Sequence, residues 1–120
     1  MNDVEFKDLE GKKILAVTHI DDEIRFVTDS GTYKQYHYQD CCESVTVEEI
    51  IGDLADLIDE TVVEARVEVN TDEPSTDNDS GSHTWTFYII RTNKSTVTIR
   101  WYGTSNGYYS ESVDFVKVSI

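Results

Sequence analysis

Lysine is absent from residues 40–79, and the only base in that stretch is Arg66, set against fourteen acids. The whole chain has ten bases for twenty-four acids, a net charge of −14 over 120 residues. A surface so poor in clustered Lys and Arg lacks the phosphate contacts of a nucleic-acid binder, so no direct nucleic-acid partner is expected. Cysteine is scarce as well: Cys41 and Cys42 occur side by side and there are no others. A bond between sequence neighbours needs a distorted peptide, so two free thiols are expected and a disulfide-stapled scaffold is excluded. There is one proline, Pro74, and no apolar run near the roughly 20 residues that span a bilayer. Met1 to Phe6 lacks the basic end and apolar stretch of a secretory signal, so an intracellular protein with no membrane partner is expected.

What the chain does have is short apolar segments of clear period, enough for one modest core. Ile14–Ile20, Glu23–Thr28 and Thr32–Tyr38 read as strands joined by turns at Asp21-Asp22 and around Gly31, and links this brief make an antiparallel meander. From Thr46 onward, the spacing of Val47, Ile50, Ile51, Leu54, Leu57 and Ile58 predicts an amphipathic helix over 46–59, opened by a Thr46/Glu49 capping box. Val63–Val69 alternates as a half-buried strand with Glu64, Arg66 and Glu68 on its wet side. Residues 70–82 hold the proline and many turn formers and are expected to be a mobile acidic loop. Strands resume at Thr84–Thr92, Thr96–Tyr102 and Val113–Ile120. By alternation Trp101 faces inward with Val97 and Ile99, while Arg100 and Tyr102 face the other way. The expected fold is α+β: a single domain over residues 1–120, a twisted, mainly antiparallel and partly closed sheet of order βββ-α-ββββ, with the helix packed on one face.

On such a helix Glu49, Asp53, Asp56 and Glu60 share one exposed stripe, where like charges four apart repel by about 0.2–0.5 kcal/mol a pair. Glu48, Asp59, Glu64, Glu68, Asp72 and Glu73 extend it into an anionic surface over residues 48–79. A merely solvated face accounts for such charge as readily as a dock for a basic protein does. The tolerated self-repulsion tips the balance towards docking.

The stretch "YHYQDCCESV" (Tyr36–Val45) gathers His37, Asp40, Cys41, Cys42 and Glu43. H-x-x-x-C-C lacks the chelating spacing and the fourth strong ligand of a zinc site, so no metal or other cofactor is expected. A Cys–His nucleophile needs an electropositive setting, which Asp40 and Glu43 oppose, so no catalytic residue is assigned. The stretch reads chiefly as a strand-to-helix corner. "IRWYGTSNGYYSES" (Ile99–Ser112) sets aromatics beside one guanidinium. A pocket of His37, Asp40, Arg100, Tyr102, Asn106 and Tyr108 would suit a planar, nucleotide-like anion, or else Arg100 is an internal partner for one of the acids.

The segments "YHYQDCCESVTVEEIIGDLADLI", "TWTFYIIRT" and "VTIRWYGTSNGYYSESVDF" resemble the signature segments of a family of small, uncharacterised phage and prophage proteins with no established activity. The resemblance covers most of the chain, with 70–82 as the variable part. Where many relatives carry Gly-Ser-Pro after the helix, this chain has "DETVVEA" (Asp59–Ala65). It implies a phage-encoded product acting in the cytoplasm of an infected host bacterium. A non-enzymatic interaction protein is then expected first: an acidic, nucleic-acid-mimicking inhibitor of a host defence or nucleic-acid-handling factor, with a basic host protein as its partner. A protein that sequesters a nucleotide-like small ligand is the alternative, and a thiol-dependent enzyme using Cys41 or Cys42 with His37 comes last.

Overall fold

Asp21, held at φ 54°, and the Asp29-Ser30 turn before Gly31 fold the chain from Ile14 to Tyr36 into the meander that its alternation predicts. The structure, a computed structural model, describes residues 2–39, 42–72, 82–105 and 110–118. Its strands are β1 (Asn2–Asp3), β2 (Ile14–Ile20), β3 (Glu23–Thr28), β4 (Gly31–Tyr36), β5 (Ser44–Ile51), β6 (Glu64–Asp72), β7 (Ser82–Arg91), β8 (Thr96–Ser105) and β9 (Asp114–Val118). They form two antiparallel sheets, ordered β1-β9-β4-β3-β2 and β5-β8-β7-β6. The expected loop over 70–82 is in part strand, because β6 and β7 include Asn70–Asp72 and Ser82; residues 73–81 lie outside the described residues.

The expected helix over 46–59 is absent, and the α+β class falls with it. Among the described residues, helical structure amounts to two 3-10 turns, Phe6–Leu9 and Leu54–Leu57. Ser44–Ile51 is a strand, laddered to β8 from Ser44↔Thr104 to Ile51↔Thr98. The register slips between Val47 and Glu49, which makes Glu48 the extra residue of a β-bulge. The inward positions therefore step from Val45 to Val47 by two and from Val47 to Ile50 by three. Over so short a segment, that sequence of steps imitates helical spacing. Gly52 ends the strand at φ 100°, where a Cβ would stand 3.1 Å from the Thr96 carbonyl oxygen. Asp53 then caps the second turn, its Oδ1 accepting from Ala55 N at 2.9 Å. The supposed capping box has no helix to cap, since Thr46 lies opposite Tyr102 and Glu49 opposite Arg100 in the ladder.

The sheets bury one core between them. β8 contributes Val97, Ile99 and Trp101, β3 and β4 contribute Ile24, Phe26, Tyr33 and Gln35, and Phe6 and Leu9 of the first 3-10 turn join them. Phe115 stacks on Tyr33 with ring centroids 5.4 Å apart, and Phe6 meets Tyr88 edge-on at 4.8 Å. A polar bond crosses this core: Trp101 Nε1 donates to Gln35 Oε1 at 2.7 Å.

Two buried phenols give the fold an alkaline limit. Burial, the hydrogen bond to Asp8 (2.7 Å) and that carboxylate's charge push Tyr33 above the usual tyrosine range. Burial, and then the charge of Asp114, do the same to Tyr88. A phenol whose pKa rises on folding favours the folded state only while it is protonated. This stabilisation is complete below the unfolded value of about 10 and is lost as pH climbs through the higher folded values. Urea titrations should show a tyrosine-dependent fall in stability above about pH 10, and Tyr88→Phe should flatten it. Parallel falls for the variant and the unaltered chain would refute the assignment.

Candidate functional site

β8 alternates a buried row, Val97, Ile99, Trp101, Gly103 and Ser105, with a partly exposed row, Thr98, Arg100, Tyr102 and Thr104. β7 does likewise: Thr86, Tyr88 and Ile90 are buried, while His83, Trp85, Phe87 and Ile89 keep partial exposure. The register sets Tyr102 opposite Trp85 and Arg100 opposite Phe87. Continuing to the borders, Glu49 stands beside Arg100, and Glu68 stands beside Phe87. The outer face of the second sheet is therefore aromatic in the middle and carboxylate-lined on both sides. Its rings are ordered: Trp85 and Tyr102 lie 5.0 Å apart, His83 and Tyr102 5.9 Å, and His83 Nδ1 is 2.6 Å from the Tyr102 hydroxyl.

The bulge shapes the charge on this face. Neighbouring residues of a regular strand point to opposite faces. With one extra residue, Glu48 and Glu49 both reach Arg100, at 2.7 Å from Nε and 2.6 Å from Nη2. At the far border Arg66 lies between Glu64 (3.9 Å) and Glu68, and Arg91 also meets Glu64 at 3.4 Å. Arg100, which the alternation offered as an anion anchor or an internal partner, is held by two glutamates.

The acids singled out in the sequence fall in three places. Glu48 and Glu49 lie on β5, and Glu64 and Glu68 on β6, the two borders of one sheet. Asp53, Asp56, Asp59 and Glu60 lie in the connection between them, which runs along β2: Asp59 N donates to Ile14 O at 2.7 Å, and Ile14 N donates to Glu60 O at 3.0 Å. Asp72 is the last residue of β6, and Glu73 lies outside the described residues. The single helical stripe of Glu49, Asp53, Asp56 and Glu60 is not formed, because residues 44–51 are extended.

His37 belongs to a different place. Its Nδ1 is 2.6 Å from the Ser112 carbonyl, an acceptor only, so this nitrogen donates. Its Nε2 faces Glu43 Oε2 at 2.7 Å, and the two side chains keep 5% and 0% of their exposure. A proton lies between them, on the ring or on the carboxyl. Tyr38 N donates to Asp114 Oδ2 at 3.1 Å, which ties the corner to the start of β9. Of the proposed pocket, His37 is thus in this corner and Arg100 and Tyr102 are on the outer sheet face; Asp40, Asn106 and Tyr108 lie outside the described residues. Cys42 is disulfide-bonded, which corrects the expectation of two free thiols and leaves it no thiolate for nucleophilic chemistry; Cys41 lies outside the described residues. Among the described residues no three His, Cys, Asp or Glu side chains converge as a metal site, and no helix is long and apolar enough to cross a membrane.

Two features were not singled out from sequence. Trp85 and Phe87 matter only once β6 and β8 flank β7, although the alternation Thr84-Trp85-Thr86-Phe87 was visible. Glu111 is buried beside a cleft of about 500 Å³, its carboxylate accepting from Thr84 Oγ1 (2.8 Å) and Ser105 Oγ (2.6 Å). Gly103 permits this, since a Cβ there would stand 2.8 Å from Glu111 Cβ.

Comparison with curated proteins found no match. Comparison with solved structures found none either. A family model described as a domain of unknown function (DUF7448) matches residues 7–115. That span runs from the first 3-10 turn into β9 and includes both the aromatic face and the His37–Glu43 corner, and the chain belongs to the DUF7448 family.

Proposed function

We propose that this is a non-enzymatic interaction protein that docks a basic partner on the outer face of its second sheet. The observation that carries this reading is the arrangement of that face: Trp85, Phe87 and Tyr102 partly exposed in the middle, with Glu48, Glu49, Glu64 and Glu68 along both borders. Aromatic faces attract Arg and Lys side chains, and flanking carboxylates steer such a partner in and hold its register. Arg66, Arg91 and Arg100 keep the carboxylates fixed in place and break up the negative field, which supports a patterned protein dock. The narrower form, in which the acids stand in for nucleic-acid phosphates and block a host defence or nucleic-acid-handling factor, draws on the same groups and on the overall charge of −14. The resemblance to phage and prophage proteins supports an infected bacterium as the place of action.

The test is affinity capture from a bacterial host lysate at low and high salt. Trp85→Ala changes no charge, and Glu48→Lys/Glu49→Lys reverses one border. Each should weaken retention of the same captured protein by about tenfold or more, as loss of a central anchor does. Equal retention by Trp85→Ala would discard the outer face as the dock.

A further inference from the structure

Sheet borders expose unpaired backbone N–H and C=O groups, and folds usually blunt them. Most borders here are blunted. β1 has two residues. β2 has a register break between Ile14 and Ala16, and its start is covered by Asp59 and Glu60. β5 carries the Glu48 bulge. β6 is the exception among the described residues: its start lies against Glu10 and the first 3-10 turn, but it runs nine residues without a break, pairs with β7 alone of the described strands, and contains neither lysine nor proline.

Ala65 N donates to Glu10 Oε2 at 3.1 Å, so its backbone faces the open border. Alternation puts the N–H and C=O groups of Val67, Val69 and Thr71 on that same border. Their side chains share the inner face with buried Ala65, but the core stops short of them. Val67 and Val69 stay 42% and 61% exposed, over the cleft that Thr84, Thr86 and Val113 also line. An unprotected strand with bare valines is a template for another strand.

We infer that the strand which fills this border is β6 of a second copy of the chain, paired antiparallel about a two-fold axis at Val69. The sequence is self-complementary in that register. Val69 meets its own copy, Val67 meets Thr71, Glu68 meets Asn70, and Arg66 meets position 72, which is Asp. No glutamate faces a glutamate in this register. The register about Val67 instead would set Val69 against Ala65, whose N–H is already taken by Glu10. The parity makes 67/71, 69/69 and 71/67 hydrogen-bonded pairs, so the arrangement is isologous and closes at two copies.

Sedimentation equilibrium of the full chain should show a reversible monomer–dimer equilibrium. Val69→Pro removes an outward N–H without touching the β7 ladder, and each dimer loses it twice. The dissociation constant should rise about 30-fold. Val69→Lys sets like charges on the axis and should weaken pairing at least as much. Hydrogen exchange on the unaltered chain reads the same contact without mutation: the amides of Val67, Val69 and Thr71 should be protected in concentrated samples and lose protection on dilution. A chain still monomeric at about 1 mM, a dimer that survives both substitutions, or exchange at those amides that ignores concentration would each overturn the inference.

Discussion

Trp101→Ala is expected to lower the unfolding free energy by about 3–5 kcal/mol, the usual cost of truncating a fully buried tryptophan. Trp101 has no solvent exposure, and it sits where β8 faces β4. Its loss removes volume from both sheets' inner faces at once, so neither can collapse alone to fill the gap. It also strips Gln35 of its partner, and Gln35 is itself fully buried. A single domain is stable by about 5–15 kcal/mol, so this variant should be only marginally folded. Trp101→Phe separates the two contributions. It keeps most of the ring but leaves the Gln35 carbonyl unsatisfied, for about 1–3 kcal/mol. Adding Gln35→Leu to Trp101→Phe should recover part of that loss, because both polar partners are then gone. Urea denaturation followed by circular dichroism measures all three, and a loss below about 1 kcal/mol for Trp101→Ala would contradict the assigned core.

His37→Ala is expected to cost about 3 kcal/mol, because it takes a hydrogen-bond partner from a buried carboxyl and from a backbone carbonyl. Glu43 has a side chain with no exposure, and the His37 ring supplies its 2.7 Å partner. Removing the ring leaves the carboxyl in the same burial without that partner, and it also frees the Ser112 carbonyl. Glu43→Gln should be far milder, at most about 1.5 kcal/mol, because the amide can still donate to Nε2. The asymmetry between the two single variants is the diagnostic result. Equal, small losses in thermal or urea unfolding would mean that the corner is not held by this pair.

The limits of β2 and β3 were legible to the residue, because tight turns at Asp21 and Asp29 bracket clean alternation. The two faces of β8 were legible for the same reason: Val97, Ile99 and Trp101 are buried and Arg100 is not. β5 was not legible. Its bulge breaks the period of two within a single strand, and the Asp53-capped turn supplies Leu54 and Leu57 at helical spacing, so two short elements merge into one apparent helix. The error carried over to the candidate site, since acids assigned to one helical stripe belong to one border, β5, and to the connection after it. The aromatic face was out of reach for a different reason. It is made by the neighbours of β7, and strand order is a long-range property that no local pattern states.

At β5, opposite β6, the Glu48 bulge interrupts the outer row of amides, and Val47 N on that side donates to Asp22 Oδ1 at 3.1 Å. A body with one such margin closes into a finite particle. A body with two can add copies end over end, as a filament does. The Glu48 bulge and the Asp22 carboxylate from the β2–β3 turn together keep the second margin from matching the first.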